Sequence, residues 1–116
     1  MTKHSFDLEE RTLKFAKRVI QLCRTLKPDS VNRELIDQLV RASGSIGANY
    51  REANDALSKK DFGHRIRITR REAKEAHYWL ELIAEANPHV DGEATKLLQE
   101  ALELKKIFSS IADKLA

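Results

Sequence analysis

The chain carries four histidines, His4, His64, His77 and His89, and one cysteine, Cys23. A helical bundle that holds two metal ions uses a pair of Glu-x-x-His motifs with two further Glu, all facing inward. None of the four histidines has Glu three residues before it. Glu75-Ala76-His77 has the wrong spacing for one helical face. His77 and Glu81 do share a face, but they stand as a single pair. Cys23 falls within an apolar stripe, not beside the cations that would hold a thiolate. No Gly-x-Ser-x-Gly, P-loop or Gly-x-Gly-x-x-Gly occurs, and Gly44-Ser45-Ile46-Gly47 lacks a strand-to-helix setting. No catalytic site, metal site or cofactor is therefore expected.

The remaining chemistry is positive charge. Between Lys59 and Lys74 there are seven Lys or Arg against two acids, a surplus of five. The whole chain carries +3, so the rest of it is two negative. Lys60, His64, Arg67, Arg71 and Lys74 recur at steps of 4, 3, 4 and 3, which lines them up on one helix face. Lys60, Arg67, Arg71 and Lys74 would span roughly 21 Å at the helical rise and follow several phosphates. Tyr78 continues the face one turn on, where an exposed ring can stack on a base. The same stripe is also what a solvated or intersubunit face looks like. Glu81 and Glu85 extend it with opposite sign, and Arg70–Lys74 and Arg71–Glu75 have the spacing of ordinary helix-surface pairs.

These residues need a helix to position them, and the stretch from Ser58 to Ala86 supplies one. Phe62, Ile66, Thr69, Ala73, Ala76, Leu80 and Ile83 follow steps of 4 and 3, the mark of one core-facing seam. Three more seams follow the same rule. Helix 1 has Leu8, Thr12, Phe15, Val19, Leu22 and Leu26, with a second stripe of Leu13, Ala16, Ile20 and Cys23. Asp7 and Glu10 fit a capping box at its start, and Pro28 lies beyond its end. Helix 2, capped by Ser30 or Asn32, has Leu35, Leu39, Ala42, Ile46, Asn49 and Ala53. Gly44 and Gly47 either break it or, since the seam keeps phase, admit a close neighbour within one continuous helix. Helix 3 is capped by Ser58 or Asp61. Helix 4, capped by Asp91, has Ala94, Leu97, Ala101, Leu104, Phe108, Ile111 and Leu115.

Four amphipathic helices with short connections predict an all-α, antiparallel up-down-up-down four-helix bundle. Residues 1–116 form one domain of it. The apolar arcs of helices 1 and 4, with Ile36, Val40 and Tyr50, exceed one bundle's interior and predict a homo-oligomer. Asn49 lies in a seam, where a polar residue fixes register or stays half-buried against water. Gln38, Arg41, Ser45 and Glu52 line its flank as partners, and Glu75 of helix 3 completes this expected polar set. No apolar run approaches the ~20 residues of a membrane span, and MTKHSFDLEERT has no apolar signal core. The lone cysteine forms no internal disulfide, so a cytoplasmic protein is expected.

Gln38-Leu39-Val40-Arg41-Ala42-Ser43-Gly44-Ser45-Ile46-Gly47-Ala48-Asn49, followed by Glu52, resembles the helix-2 signature of the small four helix bundle proteins. These are also called the 23S rRNA intervening-sequence proteins. Ser58-Lys59-Lys60-Asp61-Phe62, then Ile66, Ile68 and Glu75, matches their helix 3, and Arg70 to Leu80 is similar to one branch. Arg71 and Glu72 stand where other members carry Gly-Ser, which adds charge to helix 3. The resemblance implies a four-helix bundle, commonly a homopentameric ring, and reading frames found within 23S rRNA genes. A more distant similarity is to the accessory variability determinant of diversity-generating retroelements, which partners a reverse transcriptase and nucleic acid. The expectation is thus a non-enzymatic oligomer binding RNA or another nucleic acid through Lys60, Arg67, Arg71, Lys74 and Tyr78. The alternative is a structural protein–protein module without nucleic-acid contact.

Overall fold

The computed structural model describes residues 3–115, with side chains from Asp7 onward. His4 therefore lies outside the described side chains. The described residues form four long helices: α1 (Lys3–Cys23), α2 (Ser30–Asn54), α3 (Lys59–Ala86) and α4 (Asp91–Asp113). A 3-10 turn, Pro88–Val90, leads into α4. In space α1 packs on α2 and α4, and α3 packs on α2 and α4 more extensively. The body measures 44 × 23 × 20 Å. Its long dimension is set by α3, whose 28 residues span about 42 Å at the helical rise.

The apolar seams are where their spacing predicts. Leu8, Thr12, Phe15, Val19, Leu22 and Leu26 of the first segment are buried. So are Ile66, Thr69, Ala73, Ala76, Leu80 and Ile83 of α3, and Ala94, Leu97, Ala101, Leu104 and Phe108 of α4. The two buried threonines keep their hydroxyls satisfied inside their own helices. Thr12 Oγ1 donates to the Leu8 carbonyl at 2.8 Å and Thr69 Oγ1 to that of Arg65 at 2.8 Å. Burial of a hydroxyl is tolerated only on such terms.

The helix ends depart from expectation at several points. α1 begins at Lys3, so Asp7 lies within the helix, exposed, rather than at its N-cap. Nothing in Lys3 to Phe6 breaks a helix, and the capping box at Asp7 is overrun. At its other end α1 stops at Cys23, short of Pro28. The cap of α2 is Asp29, whose carboxylate accepts from the Asn32 amide at 2.8 Å. Neither Ser30 nor Asn32 caps it. Asn32 is instead buried against Asn87, with side-chain bonds in both directions at 3.0 and 2.8 Å. Asn32 also donates to the Lys27 carbonyl and Asn87 to that of Ile83, so this pair ties the α1–α2 connection to the end of α3. Ser58 caps α3, its Oγ accepting from the Asp61 amide. Asp91 is the first residue of α4 and makes no cap bond.

Tyr50 also departs from expectation. It is fully buried, its ring 5.3 Å from that of Phe108, and it does not contribute to an outer patch. Its larger apolar body takes the core slot beside the one read for Asn49. Ile36 and Val40 are half-buried against the core, as are Leu98, Ile107 and Ile111. Among the described residues, the large apolar side chains left exposed on the helices are Leu13 and Ile20 of α1, Val31 at the start of α2, Tyr78 of α3 and Leu102 of α4.

α2 runs unbroken through Gly44 and Gly47. A Cβ at Gly47 would lie 3.1 Å from Thr12 Oγ1, so this glycine admits α1. A Cβ at Gly44 would meet nothing within 4 Å. Ala at position 44 relieves the helix-interior penalty of glycine without a clash. Gly44→Ala should raise stability by about 0.5–1 kcal/mol in urea unfolding, while Gly47→Ala gains less or loses.

Candidate nucleic-acid interface

The rotational setting of α3 follows from its seam. With Ile66, Ala73, Leu80 and Ile83 turned into the core between α2 and α4, the side chains about 180° away face solvent. Arg67, Arg71 and Lys74 are exposed on that outer side. On the side toward α4 they border an open depression of about 670 Å³, lined by His64, Arg67, Ile68, Arg70, Arg71, Lys74, Lys105 and Ser109.

Five permanent cations line this groove and no carboxylate does. Among the described residues, no acidic oxygen lies within 4.0 Å of the charged nitrogens of Arg67, Arg70, Lys74 or Lys105. Arg71 reaches one carboxylate, that of Glu72, at the outer limit of 4.0 Å. The Arg67 guanidinium folds back over Gly63, where a Cβ would stand 3.2 Å from its Nη1. Gly63 also makes room for Leu115 at the end of α4, so one missing side chain sets two contacts.

Tyr78 is 55% exposed and lines an adjoining depression of about 420 Å³ with Arg71, Lys74, Glu75 and Trp79. The two depressions share Arg71 and Lys74. Tyr78 meets Trp79 edge-on, at 5.1 Å and 78°. Four of the five residues expected on this face therefore come together along one continuous surface. Lys60 is exposed further back on the helix and lines neither depression. Arg70, Lys105 and Ser109 are additions. Arg70 sits near the seam's edge, where periodicity does not distinguish packing from display. Lys105 and Ser109 come from α4, and only the packing of α4 on α3 brings them here.

The polar set around Asn49 is rearranged. Asn49 is half-buried at the edge of the seam, its amide donating to the Ser45 carbonyl at 2.9 Å. Its oxygen accepts from Arg65 Nη1 of α3 at 3.1 Å. The residue that crosses to Asn49 is thus Arg65, which the spacing did not single out. Gln38 bonds to Glu34 and Arg41 to Asp37, each one turn back within α2. Glu52 lines a shallow hollow with Asp55, Asp61, His64 and Arg65. Glu75 turns toward Glu72 rather than toward α2's polar flank.

Three other groups bear on chemistry. Burial pushes the Cys23 thiol up to about 11, which leaves it unionised near neutrality. His77 Nδ1 lies 3.1 Å from Glu81 Oε1, an ordinary i,i+4 surface pair. Burial raises the Glu72 carboxyl above the ordinary value of 4.5, helped by the nearby Glu75, while Arg71 pulls it back. A carboxyl raised by folding stabilises the fold below its unfolded pKa, and that contribution is lost as pH rises through the folded one. Glu72→Gln should therefore flatten the fall in stability above about pH 4.5, seen as a smaller difference in urea midpoint between pH 4 and pH 7.

The sequence profile of the 23S rRNA-intervening sequence proteins matches residues 5–110. A crystal structure of a protein of unknown function from Bacteroides thetaiotaomicron VPI-5482, described as from the S23 ribosomal protein family, is similar in fold. It superposes with a TM-score of 0.77 at 32% sequence identity, over 90% of this chain and 96% of that one. No protein of curated function matches the sequence. Helix seams, glycine-bearing α2 and profile agree along almost the whole length, and the chain belongs to the 23S rRNA-intervening sequence protein family.

Proposed function

We propose that this protein is a non-enzymatic, self-associating bundle that binds RNA through the basic groove between α3 and α4. The observation that carries this reading is the lining of the groove: Arg67, Arg70, Arg71, Lys74 and Lys105 with no carboxylate among them. Cations held side by side on two packed helices, with Arg71 alone near a carboxylate, repel one another at a free-energy cost that a phosphate chain offsets. Binding then proceeds by phosphate neutralisation and counterion release. The family's name, with its reference to 23S rRNA, points to the same class of partner. A nucleic-acid partner implies a cytoplasmic protein, and among the described residues no helix is long and apolar enough to cross a membrane.

The bundle in this reading is antiparallel, each helix running up where its neighbour runs down. Bonded pairs support that order: Arg11 with Glu100 and Arg18 with Glu93 between α1 and α4, Asn49 with Arg65 and Asn32 with Asn87 between α2 and α3. In each pair of helices the numbers rise on one side as they fall on the other. Self-association is supported on the opposite side of the molecule. Leu13 and Ile20 are exposed there, and Leu13 lines a mostly apolar depression of about 300 Å³ with Ala16, Gly44, Gly47 and Ala48. A ring of five is what the family resemblance implies for the copy number. A protein–protein module is the second reading, favoured by the same exposed flank.

Titration of a structured RNA tests the first reading. Neutralising about four phosphates predicts an affinity loss of roughly 50- to 150-fold between 50 and 200 mM salt. Changing Arg67, Arg71, Lys74 and Lys105 together to Ala should abolish binding while circular dichroism stays unchanged. Undiminished binding by that variant, or none by the parent at 50 mM salt, refutes it. Light scattering should return a multiple of the 13.3 kDa chain mass. Leu13→Glu with Ile20→Glu should lower that mass toward a single chain.

A further inference from the structure

We infer that the groove takes an unpaired strand, with phosphates on Arg67, Arg70, Arg71, Lys74 and Lys105 and a base stacked on Tyr78. This rests on the RNA-binding reading and names the form of nucleic acid that the site selects. The supporting feature is the junction of two unlike depressions. One is lined by cations without acids; the other holds an exposed phenol ring, an indole and one carboxylate. Arg71 and Lys74 belong to both. Along the helix axis Lys74 lies roughly 6 Å and Arg71 roughly 10 Å from Tyr78, so a phosphate held by both sits about 8 Å from the ring's position. That is the reach of a nucleotide's own base.

The second depression suits a base better than another phosphate. Glu75 places a carboxylate on its rim, which repels phosphate and accepts from an exocyclic amino group. Trp79 is half-buried and stands at 78° to the Tyr78 ring, 5.1 Å away, so it braces a phenol that remains 55% exposed. In a duplex the bases are stacked inward, and a surface that holds the backbone cannot also reach a base face. Only an unpaired nucleotide satisfies both depressions at once. Stacking is tolerant of sequence because every base has a π face, and neither contact requires a sugar hydroxyl.

Trp79 is the sole tryptophan and so reports on the site directly. The probe is a 12-nucleotide mixed-sequence RNA strand, compared with its fully paired duplex and with a DNA strand of the same sequence, all at 50 mM salt. The unpaired RNA should bind more tightly than the duplex and quench Trp79 fluorescence, and the DNA strand should bind comparably. Tyr78→Ala should weaken strand binding by about 5- to 150-fold, the value of one base–aromatic stack, and leave duplex binding and the salt dependence unchanged. Tyr78→Phe should retain both affinity and quenching. If duplex and strand bind equally and Tyr78→Ala changes neither, the single-strand assignment is wrong while the groove remains a phosphate site. Strong rejection of the DNA strand also overturns it, because the affinity would then depend on a contact to the sugar. If the parent protein binds no probe at all, the RNA-binding reading falls first.

Discussion

A helix that packs against two neighbours has one side left for solvent, and in α3 the seam decides which side that is. Every step of 4 or 3 from Ile66 to Ile83 returns an apolar or small side chain to the core. Arg67 or Lys74 moved back by one position would stand at Ile66 or Ala73, in the core, where an unpaired ion is costly. The outward placement of Arg67, Arg71 and Lys74 is therefore a consequence of packing and needs no separate device. The small seam residues Thr69, Ala73 and Ala76 at mid-helix let α2 and α4 come close along the same stretch that carries the charge. Lys105 and Ser109 join the α3 cations because α4 packs extensively on α3.

The seams were legible because burial repeats with the helical period, and a period survives in one-dimensional text. Ser58 as a cap and the continuity of α2 through its glycines were legible for the same reason: they concern residues within a few positions of one another. Lys105 was not, since nothing local relates it to Arg71; their proximity arises from two helices packing side by side. The Asn32–Asn87 pair escaped notice because each residue alone has a common local role, as a cap or a terminator. Only their meeting, 55 positions apart, makes them a buried contact. Asn49 and Tyr50 are adjacent, and periodicity leaves an uncertainty of about one residue in where a seam is centred. Burial of the larger ring settles it in favour of Tyr50.

The two long sides of the molecule differ in chemistry. Toward α3 and α4 the surface is cationic with one exposed aromatic ring; toward α1 and α2 lies a mostly apolar depression where Leu13 and Ala16 meet Gly44 and Ala48, with Arg51 at its edge. The basic surplus is thus a local field, which the net charge of +3 conceals. The acids that balance it are held elsewhere: Glu93 and Glu100 face Arg18 and Arg11 of α1, and Glu9 faces Asn54 and Arg51.

The pairing of Asn32 with Asn87 has a further consequence for how the fold comes apart. It fastens the chain just after α1 to the end of α3, so the segment N-terminal to it can leave as a unit. α1 is held by one apolar seam, by Gly47's close approach and by ion pairs at partly exposed positions, which salt screens. Its departure would leave α2, α3 and α4 still joined through the extensive packing of α3 and the asparagine bonds. Within a single chain α1 is therefore packed less extensively than α3, and in a chain not covered by a second copy its amides would exchange with solvent before those of α3. The cationic groove lies wholly on the part that stays closed.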